Sequence, residues 1–126
     1  MSTRWNDNDV YGHINNAIYY QFFDTIINLM LINLKILDFK KGNYIFITPE
    51  TSCTYFKEIV FPDKITAGLK VKKLGNSSVQ YEIGLFKNCD KTTSAIGKFI
   101  HVLVDKETHK PKKMSKKIKK SLEKYI

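Results

Sequence analysis

The chain has 126 residues, of which 43% are hydrophobic and 26% charged, a composition that indicates one globular domain and excludes a disordered chain. Most of the formal net charge of +9 lies in residues 110–126, where eight lysines and one glutamate contribute +7 and leave +2 for the rest. A near-neutral body with a basic tail differs from a nucleic-acid-binding domain with a basic face, so no nucleic-acid partner is expected.

Residues 1–14 are polar and contain Gly12, which predicts an irregular loop. A long helix of about residues 16–35 follows, because Asn15 or Asn16 can cap its N-terminus and no Gly or Pro occurs before Gly42. Its apolar residues recur at steps of three and four, as in an amphipathic helix. They are Tyr19, Phe22, Phe23, Ile26, Leu29, Met30 and Leu37.

Beyond Gly42-Asn43 the apolar pattern changes to alternation, which is typical of β-strands. The predicted strands are Tyr44–Thr48, Thr51–Ile59, Lys64–Leu74, Ser78–Phe86 and Thr93–Val104. Gly75-Asn76 is a hairpin signal between two of them. One helix followed by four or five antiparallel strands predicts an α+β domain in which the sheet covers the apolar face of the helix.

The tail, KPKKMSKKIKKSLEKYI, separates residues 110–126 from a domain of residues 1–109, and we expect it to be helical. Its lysines would allow contact with RNA or with an acidic membrane surface. The simpler interpretation is a solvated terminal helix.

Two cysteines, Cys53 and Cys89, lack the spacing of a metal site or a redox motif, and a reduced intracellular setting is the simplest context. The N-terminus shows no signal-peptide pattern. The longest apolar stretch, Ile26–Ile32, is far shorter than the ~20 residues of a membrane-spanning helix. We therefore expect a cytoplasmic protein with no stable insertion into a membrane.

The segment directly before the helix contains two acids, a histidine and two asparagines: Asp7, Asp9, His13, Asn15 and Asn16. A helix N-terminus has free N–H groups and a positive dipole end, so it can stabilise a developing negative charge. A carboxylate beside such a site suits ester or thioester hydrolysis, because it can activate water or attack while the N–H groups polarise the carbonyl. No GxSxG elbow is present to support a serine-hydrolase mechanism.

The segment RWNDNDVYGHINNAIYY resembles the motif RW-x-D-x-D-x-x-G-H-x-N-N-x-x-Y of hotdog-fold thioesterases in the 4-hydroxybenzoyl-CoA thioesterase-like group. Downstream, PETSCTYFKEIVFPDKI and VKKLGNSSVQYEIGLF resemble the strands of that group and its LG-x-S-S turn. The resemblance covers nearly the whole chain. It implies an antiparallel sheet wrapped around one long central helix, a homodimer or homotetramer with active sites at subunit interfaces, and hydrolysis of acyl-CoA or acyl-ACP thioesters.

In that family the second acid of the D-x-D pair is the catalytic carboxylate, so the resemblance assigns the role of general base or nucleophile to Asp9. It places backbone donors for the thioester oxygen around Asn15 and Asn16. His13 matches a histidine that takes part in related acyl-ACP thioesterases. Those relatives have an Asn where this chain has Tyr11, a departure that leaves the division of acid and base roles open.

Tyr11 and Gly12 are assigned to substrate binding, and Gly12 is also expected to supply a backbone conformation that other residues resist. Lys72, Lys73 and Ser77 flank the hairpin that often meets the nucleotide end of CoA in this family, where cations suit phosphates. Exposed lysines on an edge strand also serve solubility alone.

Each site residue has a structural alternative. Asp9 could cap a turn, Asp7 is expected to be a structural hydrogen-bond acceptor, and His13 could be a packed loop histidine. Glu50 and Glu58 are possible second carboxylates, for which surface roles are favoured. The sequence shows no ligand cluster, so no metal or redox cofactor is expected.

The main rival to an enzyme is a non-catalytic subunit that binds acyl thioesters. Asp9 argues against it. Only three residues precede Arg4, where family members have a strand, and this departure argues for it.

Overall fold

The computed structural model describes residues 1–36 and 42–126. A short 3-10 helix (Trp5–Asp7) precedes helix α1 (Asn16–Asn33), and strands β1 (Tyr44–Tyr55), β2 (Ile65–Leu74), β3 (Ser78–Lys87) and β4 (Ala95–Asp105) follow, with helix α2 (Lys116–Glu123) last. The strands form one antiparallel sheet in the order β1-β4-β3-β2. The predicted α+β order is confirmed. Leu37, which was predicted on the apolar face of the helix, lies outside the described residues.

Helix α1 has a defined signal at each end. At its start the Asn15 side chain accepts a hydrogen bond from the Ala17 N–H at 2.9 Å, the usual arrangement of an N-cap. At its end the Ile36 N–H donates to the Leu31 carbonyl at 3.0 Å, and Lys35 adopts a φ of +59°. This is a Schellman motif, so the helix ends two residues before the predicted boundary.

The prediction of two strands between Tyr44 and Ile59 is wrong: β1 is one strand that ends at Tyr55. The pairing with β4 shifts by one residue between Ile47 and Glu50, which is a β-bulge around Pro49. Because proline has no N–H for the ladder, an edge strand can accept it at a bulge without ending there. Beyond Tyr55 the backbone leaves the sheet.

The core lies between α1 and one face of the sheet. Phe23 of α1 is fully buried over Gly97 of β4, where an added Cβ would lie 2.7 Å from the Phe23 ring. The Phe23 and Phe99 rings meet edge to face, with centroids 5.9 Å apart. The predicted inward residues of β3 are fully buried: Val79, Tyr81, Ile83 and Leu85.

A polar pair is buried in the same core. His101 stacks on Phe46 with ring centroids 5.4 Å apart, and the edge-to-face Tyr81 ring lies 5.3 Å away. The Nδ1 of His101 and the Tyr81 hydroxyl have no hydrogen-bond partner among the described residues. Burial lowers the pKa of His101 to about 4 and raises the pKa of Tyr81, so both side chains are neutral near pH 7.

The C-terminal tail contains helix α2, which packs onto the body through Ile118 and Leu122. Met114 before the helix is also buried, and the Tyr125 carbonyl accepts a hydrogen bond from the Val71 N–H of β2 at 2.9 Å. The solvated-helix interpretation therefore holds only for the lysine face. The division of the chain at residue 109 stays a prediction. Across residues 1–36 and 42–126, neither helix has the length and apolar character needed to cross a membrane.

Replacing Gly97 with alanine should destabilise the fold by about 1–3 kcal/mol, because the new methyl group would overpack the Phe23 ring. Gly68→Ala on β2 is the matched control, since its Cβ would meet only the Phe86 ring at 3.8 Å. Urea unfolding of both variants measures the difference. Equal stabilities would show that α1 does not depend on close approach at Gly97.

Acid should destabilise the protein partly through His101. Its folded pKa of about 4 lies below the ~6.5 of an unfolded histidine. Between these values the unfolded chain binds more protons, so stability falls as the pH drops from ~6.5 toward 4, by up to about 3 kcal/mol.

The variant His101→Phe should lose that part of the pH dependence while keeping the ring packing. His109→Asn, at an exposed turn position with a φ of +59°, should retain the wild-type dependence. Urea unfolding between pH 7 and pH 4 compares the slopes. Parallel slopes for all three proteins would contradict the assignment to His101.

Candidate active site

The loop before α1 is folded around the carboxylate of Asp9. Its Oδ1 accepts hydrogen bonds from the Tyr11 N–H at 2.9 Å and the His13 N–H at 3.4 Å. Gly12 has a φ of +80° and donates its N–H to the Asp9 carbonyl at 3.0 Å, so it supplies the backbone conformation expected of it. Asp9 therefore closes the turn with Oδ1, whereas among the described residues none donates to Oδ2.

Asp7 has a different environment. Its side chain is 1% exposed, and Oδ1 accepts from Nη2 and Nε of Arg4 at 2.9 and 3.2 Å. Oδ2 accepts from the Arg4 N–H at 2.8 Å. Both oxygens are therefore occupied, and the Asp7 carbonyl accepts from the Asn15 N–H at 2.8 Å. Asp7 is the structural acceptor that the sequence suggested, and it joins the loop to the start of α1.

These contacts distinguish the two asparagines. The Asn15 N–H is used by Asp7, and the Asn15 side chain caps the helix. The N–H of Asn16, the first helical residue, has no acceptor within the described part of the chain. This N–H lies at the positive end of the helix dipole, where an oxyanion is favoured.

A cavity of about 290 Å³ opens beside this helix start. It is bounded by the loop, the first turn of α1 and the segment after β1. That segment is held against the loop by the Ile14 N–H, which donates to the Ile59 carbonyl at 2.9 Å. The lining residues are His13, Ile14, Asn16, Tyr19, Tyr55, Phe56, Lys57 and Glu58.

Within the cavity His13 and Glu58 form a pair, with Nε2 and Oε2 3.3 Å apart. Both side chains are partly exposed, at 46% and 69%. Asp9 does not line the cavity itself; its carboxylate contacts the backbone N–H of His13 at the edge. Tyr11 is 81% exposed and points away from the core.

Two tyrosines form an aromatic wall. Tyr19 is 4% exposed, and its ring meets Tyr55 edge to face with centroids 4.8 Å apart. Burial raises the pKa of both phenols, and it also raises the pKa of the nearby Cys53 thiol. The phenols therefore stay neutral. The thiol stays protonated and is a poor nucleophile.

The residues expected to meet the nucleotide lie elsewhere in the chain. Lys72 and Lys73 are exposed near the end of β2, and Lys72 lies 3.8 Å from a carboxylate oxygen of Glu82. Ser77 is in the following turn, where its carbonyl accepts from the Leu103 N–H at 2.8 Å. The loop contacts the opposite end of β2, which at ~3.3 Å per residue is on the order of 25 Å away. One chain does not bring these residues to the Asp9 loop.

Sequence reasoning gave Glu58 a surface role, and the side chain is indeed exposed, yet it lies on the cavity beside His13. No local pattern marks it, because its position depends on the backbone hydrogen bond between Ile14 and Ile59. Glu50 lies on β1, where it pairs with Ile100 of β4, and it does not line the cavity. In the described ranges no three His, Cys, Asp or Glu side chains group as metal ligands.

Comparison with known proteins gives consistent results. A family model described as the thioesterase-like superfamily matches residues 3–122. A crystal structure from Pseudomonas aeruginosa strain PAO1 is 43% identical, with a TM-score of 0.94 over 99% of this chain and 87% of the other. Among curated proteins no match was found.

More distant structures share the fold. A Staphylococcus aureus protein in complex with CoA is 18% identical, with a TM-score of 0.89 over 99% of this chain and 80% of the other. A DHNA-CoA thioesterase from Staphylococcus aureus is also 18% identical, with a TM-score of 0.85 over 98% and 86%.

The family match spans nearly the whole chain, which therefore belongs to the thioesterase-like superfamily. Together with the long helix on an antiparallel sheet, it confirms the hotdog fold that the loop motif suggested. At the level of the family it supports thioester hydrolysis.

The two asparagines should differ in their effect on stability. Asn15→Ala removes the cap and should cost about 1 kcal/mol, whereas Asn15→Asp should retain most of it. Asn16→Ala should change stability by less than about 0.5 kcal/mol, since its side chain makes no hydrogen bond within the described residues. Thermal or urea unfolding measures all three. Equal losses for Asn15→Ala and Asn16→Ala would contradict the cap assignment.

Proposed function

We propose that the protein hydrolyses acyl-CoA thioesters to a free carboxylic acid and CoA, in the cytoplasm and without a metal or redox cofactor. One observation carries this proposal: the Asp9 carboxylate has one oxygen with no donor among the described residues, on the loop that leads into a helix start where the Asn16 N–H has no described acceptor. The loop thus combines a base or nucleophile with an oxyanion donor.

As general base, Asp9 would take a proton from a water molecule while the water oxygen attacks the thioester carbon. The carbonyl oxygen gains negative charge and accepts a hydrogen bond from the Asn16 N–H. The C–S bond then breaks, and the thiolate takes the proton from Asp9 as CoA leaves, which regenerates the Asp9 carboxylate. As nucleophile, Asp9 would form an anhydride that water hydrolyses. A positioned base contributes about 10²–10⁴-fold and an oxyanion donor about 10²–10³-fold.

His13 and Glu58 would assist on the cavity side. The Glu58 carboxylate, 3.3 Å from Nε2 of His13, favours one orientation of the imidazole ring. The ring would then be placed to exchange a proton with water or with the departing thiol. Tyr19 and Tyr55 both line the cavity with their rings in contact, and they would supply an aromatic wall for the acyl group.

A homodimer or homotetramer would complete the site. Strand β1 pairs with β4 on one side, and none of the described residues pairs with its other edge. Ile47, Tyr55 and Phe56 are exposed apolar side chains on or directly after this strand. A second copy at this edge would cover them and close the cavity beside Tyr55. Lys72 and Lys73 lie on β2, at the opposite edge of the sheet, so a different contact between subunits would have to bring them to the phosphates of CoA.

The test is thiol release from a panel of acyl-CoAs by the wild type, Asp9→Asn and Asp24→Asn. Asp9→Asn should lower kcat/KM by about 100-fold or more, because the amide cannot serve as base or nucleophile. Asp24 is an exposed carboxylate on α1, so its amide variant controls for loss of one charge. Circular dichroism and sedimentation must show that all three proteins share fold and assembly.

If the wild type binds acyl-CoA but does not hydrolyse it, the protein is a binding subunit and the proposal of an enzyme is wrong. If the protein hydrolyses acyl-ACP but not acyl-CoA, the proposed thioester hydrolysis stands and the carrier is ACP. An Asp9→Asn protein as active as Asp24→Asn would assign the chemistry to another group.

A further inference from the structure

A second cavity, of about 200 Å³, lies at the far end of α1 from the Asp9 loop. It is formed by the end of α1, the start of β1 and the first turns of α2. Leu34, Ile36 and Ile118 make its floor apolar. Four lysines stand around it: Lys35, Lys112, Lys113 and Lys117.

Lys35 occupies an unfavourable backbone conformation. It is the residue after the α1 cap in the Schellman motif, with a φ of +59°. Glycine is the usual residue there because it has no Cβ. With lysine at this position the backbone strain remains, and a positive charge is placed at the cavity. Strained positions of this kind concentrate at functional sites.

Lys117 occupies an unfavourable position in the electrostatic field of α2. It is in the first turn of that helix, whose N-terminus is the positive end of the dipole. Acidic residues are favoured in a first turn, yet this one contains none and begins with Lys116 and Lys117. The N–H groups of these two lysines donate to no residue in the described ranges, while Ser115 caps the Ile118 N–H.

Among the described residues that line the cavity, none carries a negative charge. The nearby Asp105 accepts at Oδ1 from the Glu107 and Thr108 N–H groups at 2.9 and 3.0 Å, and it also interacts with the charge of Lys112. It therefore offsets part of the Lys112 charge and leaves the other three lysines without an acidic partner among the described residues. The ammonium of Lys112 lies 5.2 Å from the centre of the Tyr44 ring, an aromatic contact that leaves its charge in place.

We propose that this cavity binds a phosphate group, carried as inorganic phosphate or as a phosphate ester. A bound oxyanion would neutralise Lys35, Lys113 and Lys117, and it would accept hydrogen bonds from the free N–H groups of α2. The bound anion would then give a common explanation for the backbone strain at Lys35 and for the grouping of like charges. The proposal is independent of the thioesterase reaction, since none of these residues belongs to the Asp9 loop.

The size of the cavity limits the ligand. Pockets that enclose a whole small molecule have volumes of about 300–1,000 Å³. This cavity is smaller, so it fits a phosphate group together with only a small part of the molecule that carries it. Because the four ammonium groups are exposed, solvent weakens each contact. The apolar floor of Leu34 and Ile36 would favour an ester with an apolar neighbour over the free ion.

The experiment compares two double variants with the same change in net charge. Lys113→Gln with Lys117→Gln removes two cations from the cavity, and Lys120→Gln with Lys124→Gln removes two exposed cations that do not line it. Inorganic phosphate is titrated at constant ionic strength, set with sodium chloride so that screening stays equal. The readout is the thermal midpoint, with calorimetry for affinity.

Phosphate at about ten times its Kd should raise the Tm of the wild type and of the Lys120/Lys124 variant by about 5 °C. The cavity variant should lose about tenfold or more in affinity. Equal losses in both double variants would indicate general attraction of anions, including nucleic acid, and would overturn the proposal. No shift in the wild type would overturn it as well.

Lys35→Gly supplies a second readout and serves if the cavity double variant is unstable. Without phosphate its Tm should equal or exceed that of the wild type, because glycine relieves the strain, while its response to phosphate should fall. Coenzyme A is then titrated beside phosphate. Competition that Lys35→Gly weakens would identify a phosphate ester as the ligand, and a response to phosphate without competition would identify the free ion. A full response to phosphate in Lys35→Gly would contradict the site.

Discussion

The close approach of helix α1 to strand β4 at Gly97 is the constraint on which the other features depend. Because Gly97 has no side chain, the Phe23 ring lies directly on the β4 backbone. This contact fixes the distance between helix and sheet, and the buried residues of β3 then fill the remaining core. A helix held farther away would also move its first turn away from the segment after β1, and the cavity between them would change shape.

The alternation of apolar residues was sufficient to predict β2, β3 and β4, since one face of each strand packs into the core. It was insufficient for β1. Pro49 interrupts the pattern in the sequence, and a proline is a sound stop signal for an inner strand. On the edge strand β1, Pro49 lies at a bulge where no ladder hydrogen bond requires an N–H, so the strand continues to Tyr55. Whether a strand is at an edge follows from the sheet order, which a local pattern does not contain.

The same limit applies to the candidate site. Its loop could be predicted because Asp7, Asp9 and the capping asparagine lie within a few residues of each other, and short-range hydrogen bonds determine their geometry. Glu58 could not, because it reaches His13 only through the contact of two segments distant in the chain. The tail shows the opposite error: its lysines dominate the sequence pattern, whereas Ile118 and Leu122 determine that it packs onto the body.

The two acids of the loop show how hydrogen bonding can separate a structural role from a chemical one. Asp7 is buried and both of its oxygens accept hydrogen bonds, so it has no capacity left for a substrate. Asp9 uses one oxygen to hold the Tyr11 and His13 backbone, and its other oxygen accepts from no described residue. A carboxylate fixed in this way is oriented without being neutralised by a cation. A base or nucleophile needs both properties, and residue type alone does not distinguish Asp9 from Asp7.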